Sequence, residues 1–90
     1  MVGDGMAQDH QVFDAVVTGV ATVGARVDIN GEEGFVDQVK HPSWWSEEVE
    51  PPKVGDHLRV VVLDASRTPP RLSALSRDIE NARRLRRGDE

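Results

Sequence analysis

The side chains best suited to chemistry in this 90-residue chain are arginines and tryptophans, not acids, bases or nucleophiles in catalytic patterns. Arg26 and Arg71 each carry a planar, permanently charged guanidinium that can grip a phosphate oxygen or stack on a flat ring. The plain alternative for Arg26 is a surface ion pair with Asp37 on a neighbouring strand, which contributes little. For Arg71 it is a solvated strand start after Pro69-Pro70. Asp64 suits a turn, with its carboxylate bonding nearby backbone amides. Trp44 and Trp45 are adjacent in a loop, and two neighbouring indoles rarely both fit a small core. One is expected to pack as a lid and the other to stay exposed for stacking or a protein contact, with both covering the same end of the fold as the alternative. His41, between Lys40 and Pro42, is expected to be solvated beside them.

The remaining cations gather near the end of the chain, where Arg77, Arg83, Arg84, Arg86 and Arg87 face only Asp78 and Glu80 before the acidic Asp89-Glu90 pair. They form either a basic arm for phosphates or a solvated helix face in which Glu80 pairs with Arg83 and Arg84. The whole chain is acidic, with a net charge of −5. A phosphate backbone is repelled by such a protein unless its basic residues are collected in one place. His10, His41 and His57 are scattered without carboxylates at ligand-like spacing, so no metal site is expected. No Ser-His-Asp set, glycine-rich phosphate loop or paired-carboxylate motif stands out, so neither an enzyme nor a cofactor is expected. With no cysteine, a disulfide framework is excluded and a reducing cytoplasm fits best. No apolar run approaches the length of a bilayer span, so no membrane partner is expected.

The elements that must position these residues are short strands. Residues 1–11 read as a flexible leader, with Met6 a possible second start, and residues 12–76 as the folded body. Val12 to Val23 is β-branched and apolar, interrupted by Gly19, which marks a bulge in a long bent strand. Val27 and Ile29 alternate with polar residues before Asn30-Gly31, the dipeptide that supplies positive φ angles to a tight hairpin. Gly34 then leads into the apolar segment Phe35 to Val39. Lys40 to Lys53 is a loop, barred from regular pairing by Pro42, Pro51 and Pro52, and Val54-Gly55-Asp56 turns into a fourth strand. In that strand, Leu58 to Asp64, one face carries Leu58, Val60 and Val62 and the other Val61 and Leu63, the pattern of a strand inside a sheet. Arg71 to Leu75 is a fifth. Leu75, Ile79, Ala82 and Leu85 then recur at helical spacing, with Gly88 placed to end an amphipathic helix within residues 77–90. Five short strands with a late helix predict an all-β, five-stranded barrel of the OB type, because closure removes edges that a small sheet tolerates poorly.

From about Phe13 to Arg83 the chain resembles the S1 RNA-binding domain family of the OB-fold class. Members show Val, an apolar residue three positions on, then Phe-Gly-Ala-Phe-Val, where this chain has Val17, Val20 and Val23-Gly24-Ala25-Arg26-Val27. The family's Gly-Leu-Val-His is matched by Gly34-Phe35-Val36-Asp37, and its Val-Gly-Asp stands intact as Val54-Gly55-Asp56. Its valine-rich fourth strand ending in Asp, and the following Arg-Leu-Ser, resemble Leu58 to Asp64 and Arg71-Leu72-Ser73. The family stacks bases on two aromatic rings of the second strand and a histidine after the third, where this chain has Val23, Arg26 and Asp37. Each missing ring removes about 1–3 kcal/mol of stacking per base, and Asp37 adds repulsion toward phosphate. Asp64 and Arg71 match the family's Asp and Arg flanking the last loop, with a slightly longer spacing between them.

The resemblance implies a non-enzymatic, cytoplasmic S1-like module that binds single-stranded RNA through Arg26, Asp64 and Arg71. Trp44 or Trp45 and the terminal arginines Arg83, Arg84, Arg86 and Arg87 would assist, within a larger ribonucleoprotein or protein complex. The alternative is a protein-interaction adaptor that kept the barrel and lost its base-stacking surface.

Overall fold

The computed structural model describes residues 8–86, which form a closed five-stranded barrel with one C-terminal helix. The strands are β1 (Val12–Ala21), β2 (Gly24–Ile29), β3 (Glu32–Asp37), β4 (His57–Asp64) and β5 (Arg71–Ser73), and the helix α1 is Ser76–Arg86. Around the barrel the order is β1-β2-β3-β5-β4, closed by β4 against the first half of β1. All neighbours are antiparallel except β3 and β5, which run parallel. This is the expected all-β, OB-fold-like barrel.

Strand β1 serves two partners because it bends. Val12 to Val16 pair with β4, and Val16 to Ala21 pair with β2. The bend is a bulge at Thr18, since Val17 faces Val27 and Gly19 faces Arg26, leaving Thr18 as the extra residue. Its hydroxyl donates to the Arg26 carbonyl at 3.3 Å. The hairpin turns on Asn30 and Gly31, with φ of 57° and 90°, the positive values a right-twisted two-residue connection requires. Gly31 N–H also donates to the Asp28 carboxylate.

The barrel interior holds small, mostly β-branched side chains: Ala15, Val17, Ala25, Val27, Ile29, Val36, Val60, Val62 and Leu72. The interior is narrow enough that Gly34 has no room for a methyl group, because an added Cβ would stand 2.5 Å from Leu72 Cδ1. Val61, on the opposite face of β4, packs outside the barrel against Ile79 and Ala82 of α1 and Val12 of β1. Leu85 is left exposed. The helix is also held by polar contacts at its base. Ser73, fully buried, donates its hydroxyl to Asp78 at 2.7 Å and accepts from Leu75 N–H at 3.1 Å, while Lys40 reaches the same carboxylate at 3.4 Å. Among the described residues no helix is long and apolar enough to cross a membrane.

Of the expected leader, residues 1–7 lie outside the described residues. His10 N–H donates to Val62 O and Gln11 O accepts from Val62 N–H, so residues 10 and 11 extend the barrel's backbone bonding. Asp9 accepts the Ala65 N–H at 2.8 Å.

Candidate nucleic-acid interface

Register decides which outward side chains become neighbours. Gly19 of β1 pairs with Arg26 of β2, Arg26 with Phe35 of β3, Phe35 with Arg71 of β5, and Arg71 with Asp64 of β4. Five strands thus place Gly19, Arg26, Phe35, Arg71 and Asp64 in one row across the outside of the barrel. Strand alternation turns Arg26, Phe35 and Arg71 outward while their chain neighbours Ala25, Val27, Val36 and Leu72 fill the core.

Two glycines shape this row. Arg26 lays its guanidinium across β1 at Gly19, where a Cβ would sit 3.4 Å from its Nε and Nη2. The Phe35 ring lies against Gly24, where an added Cβ would meet the ring at 2.6 Å from Cζ and collide with the Val36 carbonyl. The Arg71 guanidinium carbon stands 5.3 Å from the Phe35 ring centroid, within cation–π range. Arg71 is therefore half-buried against an aromatic, not a loosely solvated strand start. The alternative for Arg26, an ion pair with Asp37, does not form. Asp37 lies across from Gly24 instead and caps the short 3-10 turn Gln38–Lys40, accepting the Val39 N–H at 3.1 Å.

Around the row runs a groove of about 420 Å³, lined by Arg26, Phe35, Arg71, Glu33, Arg67 and the tip of β1 at Gly19 to Ala21. Arg67 comes from the loop joining β4 to β5, which contains the cis peptide bond between Thr68 and Pro69. Neither Arg67 nor Phe35 was expected at the site. Both arrive through tertiary placement, Arg67 by a loop folding back and Phe35 by the parallel β3–β5 register. Three guanidinium groups and one carboxylate line the groove, giving it a local positive charge on an acidic protein.

Asp64 lies at the end of the row as a turn former. Its carboxylate accepts the Ser66 hydroxyl at 2.6 Å and the Ser66 N–H at 3.0 Å. These two bonds hold its pKa below the ordinary carboxylate value, with smaller help from the charges of Arg67 and Arg71.

Both tryptophans are more than half exposed, Trp44 at 52% and Trp45 at 64%, so neither is a buried lid. They face different hollows. Trp44 lines a depression with Val20, Ala21, Gly24 and Pro52, whereas Trp45 faces Pro42, Leu75 and Arg77. Trp45 is pinned by an Nε1–H bond to Val39 O at 2.8 Å. His41 is buried, contrary to the solvated loop position expected. It caps the 3-10 turn Pro42–Trp44 by accepting the Ser43 N–H at Nδ1. Burial pushes its pKa below the usual histidine value, opposed in part by the charge of Asp56.

Helix α1 packs over Val61 and Val12, and among the described residues Arg77, Arg83 and Arg84 are not part of the groove lining. Arg83 and Arg84 are exposed, and Arg84 donates to Asn81 and not to Glu80. Arg86 is the last residue of α1, and Arg87 lies outside the described residues. Among the described residues, no three His, Asp or Glu side chains are grouped to hold a metal.

No family model matches the sequence, and no curated protein does either. Among solved structures, an uncharacterized protein from Methanocaldococcus jannaschii is similar, with a TM-score of 0.64 at 17% identity over 78% of this chain and 95% of its own. At that identity the likeness concerns the fold alone.

Proposed function

We propose that the chain is an S1-like module that binds single-stranded RNA in the groove built on Arg26, Phe35 and Arg71. The observation that carries the reading is the lateral register of these three residues across β2, β3 and β5. A cation, a ring and a cation stand side by side, and Arg26 is the position that the resemblance gives to one ring of the family's platform.

The chemistry follows from the groups. Arg26, Arg67 and Arg71 offer planar donor forks to phosphate oxygens, which favours a polyanion despite the net charge of −5. Phe35 and the outer plane of the Arg71 guanidinium offer a flat surface to an unpaired base, since bases stack on arginine planes as well as on rings. One phenylalanine on β3 thereby stands in for the family's lost rings on β2. Asp64 acts on this site through its turn, fixing the loop that carries Arg67, and not as a ligand contact. The setting in a larger ribonucleoprotein remains part of the proposal, as single modules with one ring hold RNA weakly.

The test is anisotropy titration of a labelled single-stranded oligoribonucleotide at low salt. Phe35→Ala should lose about 1–3 kcal/mol of binding, the cost of one stacked base, and Arg71→Ala a comparable amount because it removes both charge and stack. Undetectable binding by the parent, with capture of an acidic peptide instead, would transfer the groove to the adaptor reading.

A further inference from the structure

The depression faced by Trp44 adjoins the arginine groove, because Val20, Ala21 and Gly24 line both. Gly24 lines both hollows, whereas Arg26, two residues along β2, lines the groove alone. We propose that this depression is a second nucleobase subsite, so that one RNA strand places successive nucleotides on the Phe35–Arg71 surface and on Trp44. The inference rests on the RNA-binding reading of the groove and specifies its footprint.

Charge separates the two hollows into complementary halves. The groove is lined by three arginines and a glutamate, whereas among the described residues the lining of the Trp44 depression contains no Asp, Glu, Lys or Arg. His41 backs it, and burial holds that ring toward its neutral form. An uncharged wall suits a heterocycle and gives nothing to a phosphate, while the neighbouring cations suit the phosphate that precedes or follows it. The volume, about 290 Å³, lies at the small end of the range for ligand pockets, about 300–1,000 Å³, which fits one planar ring system. Val20, Pro51 and Pro52 supply apolar lining beside the polar groups of Thr22, Gln38 and Ser43. A base edge can therefore find hydrogen-bond partners while its face stacks on the half-exposed indole.

Trp45 supplies an internal control. Its hollow contains none of the groove residues and its indole N–H is already bonded to Val39. The two tryptophans are the only ones in the chain, so Trp45→Phe leaves Trp44 as the sole indole fluorophore and Trp44→Phe leaves Trp45. Saturation with the tetranucleotide of adenylate should quench the Trp45→Phe protein and leave the Trp44→Phe protein unchanged. A tetranucleotide with abasic sites in place of its inner bases should bind without quenching. Trp44→Ala should weaken binding of the intact tetranucleotide about fivefold or more, with Trp45→Ala close to parent. If the tetranucleotide binds in an Arg71-dependent manner while Trp44 fluorescence stays constant, or if the abasic strand quenches equally, the second subsite is overturned and the groove reading stands. If the parent binds no tetranucleotide at all, both fall together.

Discussion

The salt dependence of RNA binding should count the arginines in the groove. Each phosphate neutralised on a single strand contributes about 0.7 to the slope of log Kobs against log salt. Arg26, Arg67 and Arg71 are the cations that line the groove, so the parent slope should be about −2. Raising salt from about 50 to about 200 mM would then weaken binding roughly 18-fold. Arg71→Ala should reduce the slope to about −1.4 and the same salt step to roughly sevenfold. The double variant Arg83→Ala/Arg84→Ala should leave the slope at the parent value, because α1 packs over Val61 and neither arginine lines the groove. The assay is anisotropy of one labelled strand across four or five salt concentrations, with far-ultraviolet circular dichroism to establish that each variant is folded. A parent slope steeper than about −3, restored to about −2 by the helix substitutions, would refute the reasoning. It would mean that the strand leaves the groove and runs onto the helix.

Three further outcomes follow from the packing. Gly24→Ala should destabilise the barrel by about 1–3 kcal/mol, the usual cost of overpacking, and also displace Phe35, so urea melts and RNA affinity should both suffer. Ser73→Ala should cost about 1–3 kcal/mol, because it leaves the Leu75 N–H without its buried partner and the Asp78 oxygen with Lys40 alone; an unchanged urea midpoint would contradict that role. His41 has a folded pKa below its unfolded value, so below the unfolded value of about 6.5 the unfolded chain takes up the proton first. Stability should be fully present above that pH and decline as pH falls from it toward the folded pKa, and His41→Gln should flatten the decline between pH 7 and 5 in denaturant melts.

Much of this fold is written locally in the chain. Asn30-Gly31 and Val54-Gly55-Asp56 mark their turns by backbone chemistry alone, and the alternation from Leu58 to Asp64 marks β4 and its two buried faces. The spacing of Leu75, Ile79 and Ala82 marks the helix face that covers Val61. The site was legible only in pieces. Arg26 and Arg71 stand out by type, but their shared neighbour Phe35 depends on a parallel pairing between strands whose first residues, Glu32 and Arg71, lie 39 residues apart, for which no local pattern exists. Arg67 looks like any loop arginine until its loop folds beside β5. His41 reads as solvated because nothing in the sequence announces that its ring, not water, caps the turn at Pro42. The bulge fell one residue before Gly19 because Gly19 has a different task, giving Arg26 a flat bed across β1.

The same geometry explains how an acidic chain can present a cationic surface. Several of its carboxylates are held elsewhere: Asp28 at the hairpin turn, Asp37 at a 3-10 cap, Asp14 on Arg59, Asp78 on Lys40 and Ser73, and Glu50 on Lys53. Among the described residues, no carboxylate lies within ion-pair distance of Arg26, Arg67 or Arg71. Glu33 is the single acid in the groove lining. Net charge is therefore a poor guide to what this barrel can hold, because a ligand within a Debye length, about 8 Å at physiological salt, senses the three guanidinium groups of the row before the rest of the molecule. Glu33→Gln should tighten RNA binding severalfold by removing the one acid among the described lining residues, whereas an equal charge change at exposed Glu47, outside the groove lining, should leave the affinity unaltered.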